Sequence, residues 1–486
     1  MAGSTRPVPG YDNFGKSRNI IVLLLDTLRA SDAYDNPSLT NINYLSSHGT
    51  KFENAISPAT WTAPAHASIF TSRLPSKIKQ ASHNFLSDSS IDPWIVKIKF
   101  LPNNAVTLAS KLHNLGYYSV LFSNNPFLTS NTNLAIGFDK VYDLWMNSNI
   151  KYNPKKAKLL TGFIKGEAMR KALFRTALSL SSFIPDSLLN RIYLNLRVKM
   201  AAGVANADGT YKMDRGALDT NNALKGYLER EYNYKPQFMF INCIEAHENY
   251  PVRDSSIIQD KWLYLSGILD MDEGIIRKFH DGYRRRLSYL DKQIGKTLKI
   301  LKDNGMLDDA SIIVTSDHGQ FFGEHGLLYH SLYPYKEVNN VPLIISKFEN
   351  GKPVSERMSV SDPTSLIDMH GMVLSMAGSN GEYRRNPAIS EHNGISEGWD
   401  GMLLSALRRR SEYAARIYKT KLKYNSKAYS IIGKGYKLVH FYGKKPSELY
   451  RIDDREEREN IIKSNKPVAR RLEEIYKYEK SYLKPL

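Results

Sequence analysis

The chain has 486 residues, 42% of them hydrophobic and 24% charged, which allows a sizeable core and, by length, roughly two to three domains. This balance excludes collagen-like, coiled-coil and wholly disordered chains, and the single cysteine, Cys243, excludes a disulfide framework or a cysteine-cluster metal site. Lys plus Arg number 67 against 49 Asp plus Glu, a formal charge of +18 that implies an anionic partner: nucleic acid, a phospholipid surface or an acidic substrate.

The first ten residues, MAGSTRPVPG, carry no apolar h-region, so no secretory signal is expected. The longest strongly apolar run, Ile20 to Leu25, is far short of the roughly 18 residues a spanning helix needs, which makes the cytoplasm the expected compartment. Asn19 to Leu25 reads as a buried strand. Ala105 to Leu115 has helical spacing and stops at Gly116, and Tyr117 to Phe122 follows as a strand.

Between 150 and 200 eleven basic residues face only Glu167 and Asp186, a net +9 and half of the whole charge. Apolar residues recur there at helical spacing, first Leu173, Ala177 and Leu178, then Leu188, Leu189, Ile192 and Leu196, with Pro185 between the two runs. Such basic amphipathic helices either pack on the body or lie peripherally on an anionic membrane. Further along, Phe238 to Ile244, Ser311 to Thr315 and Val341 to Ser346 read as strands, and Gly282 to Leu301 as a long helix. The alternation implies an α/β fold, a parallel or mixed sheet with helices on both faces. After about residue 400 the texture becomes short, Tyr- and Lys-rich strands and a charged helix from about Pro467, which predicts a small C-terminal α+β subdomain over 401–486. No helix-turn-helix, RNA-recognition or zinc-finger signature accompanies the charge, which weighs against nucleic acid.

Ligands of open α/β sheets gather at the carboxyl ends of strands, and two apolar strands here end in acid: NIIVLLL runs into Asp26, and SIIVTS into Asp317-His318-Gly319. Each aspartate alone also suits a helix N-cap, whereas an Asp-His pair offers oxygen and nitrogen donors to a divalent cation. The third element is Trp61-Thr62-Ala63-Pro64-Ala65-His66, where Thr62 stands before a run that reads as a helix start. A hydroxyl there meets backbone N–H groups and a helix dipole that favour anions.

Taken in order, Asp26, the Thr62–Ser72 segment and the Ser316-Asp317-His318-Gly319…Gly323-Glu324-His325-Gly326 run resemble the sulfatase branch of the alkaline phosphatase superfamily. Leu115-Gly116-Tyr117 to Asn124-Asn125-Pro126, Gly137-Phe138-Asp139, Tyr289-Leu290-Asp291 and Asn340-Val341-Pro342 are similar to the segments that join these motifs in that family. The likeness covers about 17–140 and 236–465, which sets the expected catalytic domain at 17–400 with a basic helical insertion at about 141–235. It implies an alkaline-phosphatase-like mixed sheet in which Asp26, Thr62, Asp317 and His318 hold one divalent metal. It implies catalytic roles for Thr62 as nucleophile, for His247 at the substrate or leaving group, for His330 where many sulfatases carry a lysine, and for His66 where they carry an arginine. Arg29 is a further expected contact to the substrate oxygens.

The sequence departs from the sulfatase pattern at the nucleophile. Sulfatases oxidise a Cys or Ser to formylglycine, and threonine, a secondary alcohol, cannot give that aldehyde. Asp26 is also followed by Thr27 rather than by a second aspartate. The Asp/Thr/Asp/His set resembles phosphodiesterases, phosphonate hydrolases and the phosphoglycerol or phosphoethanolamine transferases. The expectation is therefore a metal-dependent hydrolase of a phosphate ester or phosphodiester. The alternatives are a phospho-transferase onto a glycan or lipid, a sulfate-ester hydrolase, and a silent binding module. Because His318 is an imidazole donor, Mn²⁺ or Zn²⁺ is favoured over Mg²⁺ or Ca²⁺. His325 is expected to be structural, Cys243 a buried strand residue, and His113 and His280 surface residues.

Overall fold

The computed structural model describes residues 15–78, 99–145, 213–248, 250, 261–270, 273–380, 387–395, 403, 406–407 and 410–482. The basic segment at 150–200, with its two expected helices, lies outside the described residues. In chain order the strands that matter are β1 (Asn19–Leu25), β2 (Thr50–Phe52), β3 (Tyr118–Ser123), β4 (Lys140–Asp143), β5 (Gln237–Cys243), β6 (Asp309–Thr315), β7 (Leu343–Glu349) and β8 (Met358–Val360). The helices around them are α1 (Thr62–Thr71), α2 (Leu108–Asn114), α3 (Ala217–Arg230) and α4 (Glu273–Asp303).

These strands form a nine-stranded mixed sheet in the order β8-β2-β7-β6-β1-β5-β3-β4, with the short strand Lys352–Pro353 against β7. The centre is parallel, β6, β1, β5, β3 and β4 all running one way, while β7 is antiparallel to β6 and β2. Every residue of β1 is buried, and because side chains alternate, the strand feeds two cores. Ile21, Leu23 and Leu25 join Leu224 and Tyr227 of α3 and Leu290 and Ile294 of α4. Ile20, Val22 and Leu24 join Ala63, Ala67 and Phe70 of α1 and Leu108 and Leu112 of α2. Helices therefore cover both faces, as the alternation of elements implied.

Two ends of the expected insertion belong to this body: β4 pairs with β3, and α3 lays its apolar side on the sheet. The helix expected over Gly282–Leu301 begins nine residues earlier, at Glu273, because Phe279 adds another turn of core contact below Tyr283 and Leu287. A second, four-stranded antiparallel sheet holds β9 (Ala388–His392), β10 (Ala428–Gly433), β11 (Tyr436–Phe441) and β12 (Glu448–Arg451). Its edge strand β9 thus precedes residue 401. Leu472 and Tyr476 of the C-terminal helix α6 (Lys466–Tyr482) cover Ile389, Tyr429, Ile431 and Leu438, and α5 (Ala414–Tyr424) lies before β10. Among the described residues no helix is long and apolar enough to cross a membrane.

Candidate active site

Leu24 of β1 stands in register with Thr315 of β6, so two residues on, Asp26 and Asp317 leave the sheet side by side. Thr62 opens α1 one residue inside the helix, with Trp61 as its N-cap, and all ten residues of that helix are buried. Its Oγ1 lies 3.3 Å from His318 Nε2. His318 Nδ1 is 2.9 Å from the carbonyl of Gly319; a carbonyl only accepts, so Nδ1 carries the proton and Nε2 is left bare. That bare nitrogen sits 3.7 Å from Asp26 Oδ1 and 3.5 Å from Asp317 Oδ2.

Among the described residues neither carboxylate oxygen has a hydrogen-bond partner, although both are buried. Two converging anionic oxygens and a lone-pair nitrogen, all within 4.8 Å of one another, are what a divalent cation binds, and the residues fit one. The remaining oxygens are held from behind. Asn125 Nδ2 donates to Asp26 Oδ2 over 2.6 Å, and the His318 and Thr27 backbone N–H groups donate to Asp317 Oδ1 at 3.0 and 3.4 Å. Thr27 reaches that position with φ of +66°, a left-handed conformation unfavourable by about 1–2 kcal/mol for a β-branched residue. Burial, and then the charge of Asp317, pushes the Asp26 carboxyl up to about 6. Burial pushes Asp317 up to about 7.

His247 and His330 adjoin this group, their rings 4.9 Å apart and His330 4.5 Å from His318. The chain is bent sharply to place His330, with Tyr329 and Ser331 on either side at φ of +68° and +60°. His66 is placed differently. Its Nδ1 donates to the Thr62 carbonyl at 2.9 Å and lies 3.6 Å from Asp317 Oδ2, while the ring sits edge-on to Phe70 and Phe240. Burial lowers it to about 4, so it is neutral near pH 7 and carries none of the charge that an arginine would bring.

Arg29, expected at the substrate oxygens, is instead tied to Asp32 at 3.0 Å and to Glu324 at 2.8 Å. Burial opposes its charge, yet Asp32 and Glu324 hold the guanidinium more basic than usual. Glu324 closes the same loop by accepting from the Phe322 N–H at 2.6 Å. His325 lies away from the trio, 3.4 Å from Glu337 Oε2 and stacked on Tyr335 at 3.9 Å, in a network that Lys437 and Glu457 complete at 2.5 Å. His113 is exposed, whereas His280 is not a free surface residue: it packs on Phe322 and pairs with Asp32 at 2.9 Å. Cys243 is buried at the end of β5, which raises its thiol well above the ordinary range. Asn125, Arg215, Glu248 and Gln320 are the site residues that sequence reasoning passed over. Asn125 alone had a usable signal, since it follows a strand end as the two aspartates do.

A mixed sheet whose carboxyl edge presents two carboxylates, a histidine and an alcohol defines a metal-assisted ester hydrolase of the alkaline phosphatase superfamily. Comparison with known proteins agrees. The sulfatase family model matches residues 18–379. Choline-sulfatase of Rhizobium meliloti (strain 1021) is 22% identical over 392 residues, covering 74% of this chain and 67% of the relative. Iduronate 2-sulfatase of Mus musculus is 23% identical over 339 residues, covering 63% of this chain and 55% of the relative. The crystal structure of the phosphonate monoester hydrolase of Agrobacterium radiobacter superimposes with a TM-score of 0.60 at 17% identity, over 96% of each chain, a likeness of fold. The chain belongs to the sulfatase family.

Proposed function

We propose that the protein hydrolyses a phosphate ester or phosphodiester, with Thr62 as the nucleophile. The observation that carries the reading is the identity and placement of that residue. A threonine hydroxyl occupies the first turn of α1, 3.3 Å from His318 Nε2, at a position where no aldehyde can be made. The alcohol itself must then attack, and phosphorus accepts a direct alkoxide attack followed by hydrolysis of the resulting ester.

Asp26, Asp317, His318 and Thr62 would hold one divalent ion, with Mn²⁺ or Zn²⁺ favoured by the imidazole donor. When bound, such an ion lowers the pKa of an adjoining hydroxyl and draws charge from a non-bridging oxygen of the ester. The chain does the rest. The buried helix start holds Thr62 in one place, so attack needs no loop ordering. In the first step the Thr62 Oγ–P bond forms and the P–O bond to the alcohol breaks. The Thr62 hydroxyl proton passes to the bare Nε2 of a histidine of the His247–His330 pair, and the departing oxygen takes it from there. In the second step the same histidine accepts a proton from the water that attacks phosphorus and returns it to the Thr62 oxygen as the Oγ–P bond breaks. His66 serves the site as a neutral ring behind Asp317.

The test uses a chromogenic aryl phosphodiester beside the matching aryl sulfate. Thr62→Ala is expected to remove turnover of the phosphodiester, by at least about 10³-fold. Retained turnover in that variant refutes the nucleophile, and a wild-type preference for the sulfate refutes the substrate class. Added alcohols that compete with water for the product identify a transferase.

A further inference from the structure

Glu248, the residue next to His247, has no place in the expected site, yet it is the point on which the two outer histidines converge. His247 Nδ1 lies 3.2 Å from its Oε2, and His330 Nδ1 lies 3.4 Å from the same oxygen. Gln320 Nε2 donates to Oε2 as well, at 3.2 Å, and to the Tyr250 hydroxyl at 2.9 Å. These contacts determine where the protons are. With its amide nitrogen turned to the carboxylate, Gln320 presents Oε1 to His330 Nδ1 at 3.0 Å, so that nitrogen must be the donor. His247 Nδ1 is 2.8 Å from the backbone carbonyl of Glu248, which again only accepts.

Both rings are thereby Nδ1–H tautomers, and Nε2 is the free nitrogen on each. Among the described residues neither Nε2 makes a hydrogen bond. The loop that carries Glu248 is held rigidly. Arg215 Nη1 donates to the His247 and Glu248 carbonyls at 2.8 and 2.6 Å, and Arg286 Nη1 to those of Glu245 and His247 at 3.3 and 3.4 Å. A carboxylate so enclosed does not wander between its partners.

Resting on the ester cleavage proposed above, we infer that Glu248 is a positioning residue that fixes His247 and His330 with their Nε2 atoms free for the ester. His247 is the proton donor to the departing oxygen. The side-chain exposure of 26% at His247 against 7% at His330 decides between them, because a leaving alcohol must depart through the open side. The bare Nε2 of His247 first takes the proton that Thr62 loses on attack; as the P–O bond breaks, the electron pair goes to the departing oxygen and that proton follows. The ring returns to the neutral Nδ1–H form that Glu248 stabilises. Burial opposes the charge of Glu248, whereas the histidine Nδ1 groups and Gln320 Nε2 that face its Oε2 favour the ionised carboxylate.

Three measurements test this on the 486-residue, metal-loaded chain. The first compares methyl nitrophenyl phosphate, whose phenolate leaves unaided, with methyl phenyl phosphate, whose leaving group needs the proton. Glu248→Gln is expected to slow both and to raise the ratio of their turnover about 100-fold. An equal loss on both substrates overturns the inference. The second is ¹⁵N NMR of the wild-type histidines, which does not depend on turnover or on the variant folding. A protonated Nδ1 at both His247 and His330 is expected, and a bare Nδ1 at either ring overturns the inference. The same three residues also satisfy the spacing of a cation site, so the metal content of wild type and Glu248→Gln is measured in parallel. Two ions per wild-type chain and one in the variant would show that the group binds metal and overturn the positioning role. Failure of Thr62→Ala to lose activity strikes the proposed function and leaves the NMR result standing.

Discussion

Replacing Asp317 by Asn is expected to change sign with both metal and pH. The carboxyl is fully buried, and burial pushes it from an ordinary value near 3.8 up to about 7. Roughly three pK units at about 1.4 kcal/mol each make the ionised group unfavourable by about 4 kcal/mol in the metal-free fold. The sign follows from which state holds the proton longer. The folded state does, so the metal-free protein keeps this stability below the ordinary carboxylate range and loses it as pH rises through about 7. Asparagine has no charge to desolvate. Its Oδ1 can keep the His318 and Thr27 N–H bonds, and its amide can donate to the bare His318 Nε2, 3.5 Å from the present Oδ2.

In chelator, Asp317→Asn should therefore exceed wild type by about 2–4 kcal/mol at about pH 8 and match it near pH 4. With saturating Mn²⁺ the order is expected to reverse, since the substitution removes one of the four proposed ligands. Urea unfolding followed by tryptophan fluorescence reads all of these states. A variant less stable than wild type in chelator at pH 8, or a difference independent of pH, refutes the reasoning.

Three further outcomes follow from single contacts. Asn125→Ala removes the 2.6 Å bond that orients Asp26 and should weaken divalent-ion affinity by about 10–100-fold, read by metal titration; unchanged affinity denies the amide that role. Arg29→Met breaks the pairs with Asp32 and Glu324 and should destabilise by about 3 kcal/mol in denaturant. A loss of kcat beyond about tenfold in the folded variant would return Arg29 to the substrate. Lys437→Met leaves Glu457 buried without its 2.5 Å partner and should be unfavourable by about 3–5 kcal/mol, most of it recovered when Glu457→Gln is added. No recovery in the double variant refutes the pairing as the cause.

The parallel core was legible because its strands are buried on both faces and read as apolar runs: NIIVLLL, QFMFINC and DASIIVT are strands within a residue or two of expectation. The short strands β2 and β8 escaped notice, since three residues carry no period to read. The domain boundary expected at 401 missed β9, whose five residues are assigned to the small sheet only by pairing with β10, some forty residues on in the chain.

The same division runs through the site. Asp26, Thr62, Asp317 and His318 each stand at a strand end or helix start, where backbone geometry alone aims a side chain at the sheet edge. Their residue types and positions were determined by the sequence itself, as was the absence of a convertible nucleophile. What only the tertiary structure decided is which charges face inward. Arg29 is withdrawn from the site by Glu324, nearly three hundred residues away, and His66 is neutralised by the phenylalanines around it. Glu248 gains its meaning from Gln320 and His330 across seventy to eighty residues. Hydrogen bonds and desolvation depend on neighbours that local sequence does not specify, and those neighbours shift the proton affinity of the buried carboxyls and imidazoles at this site.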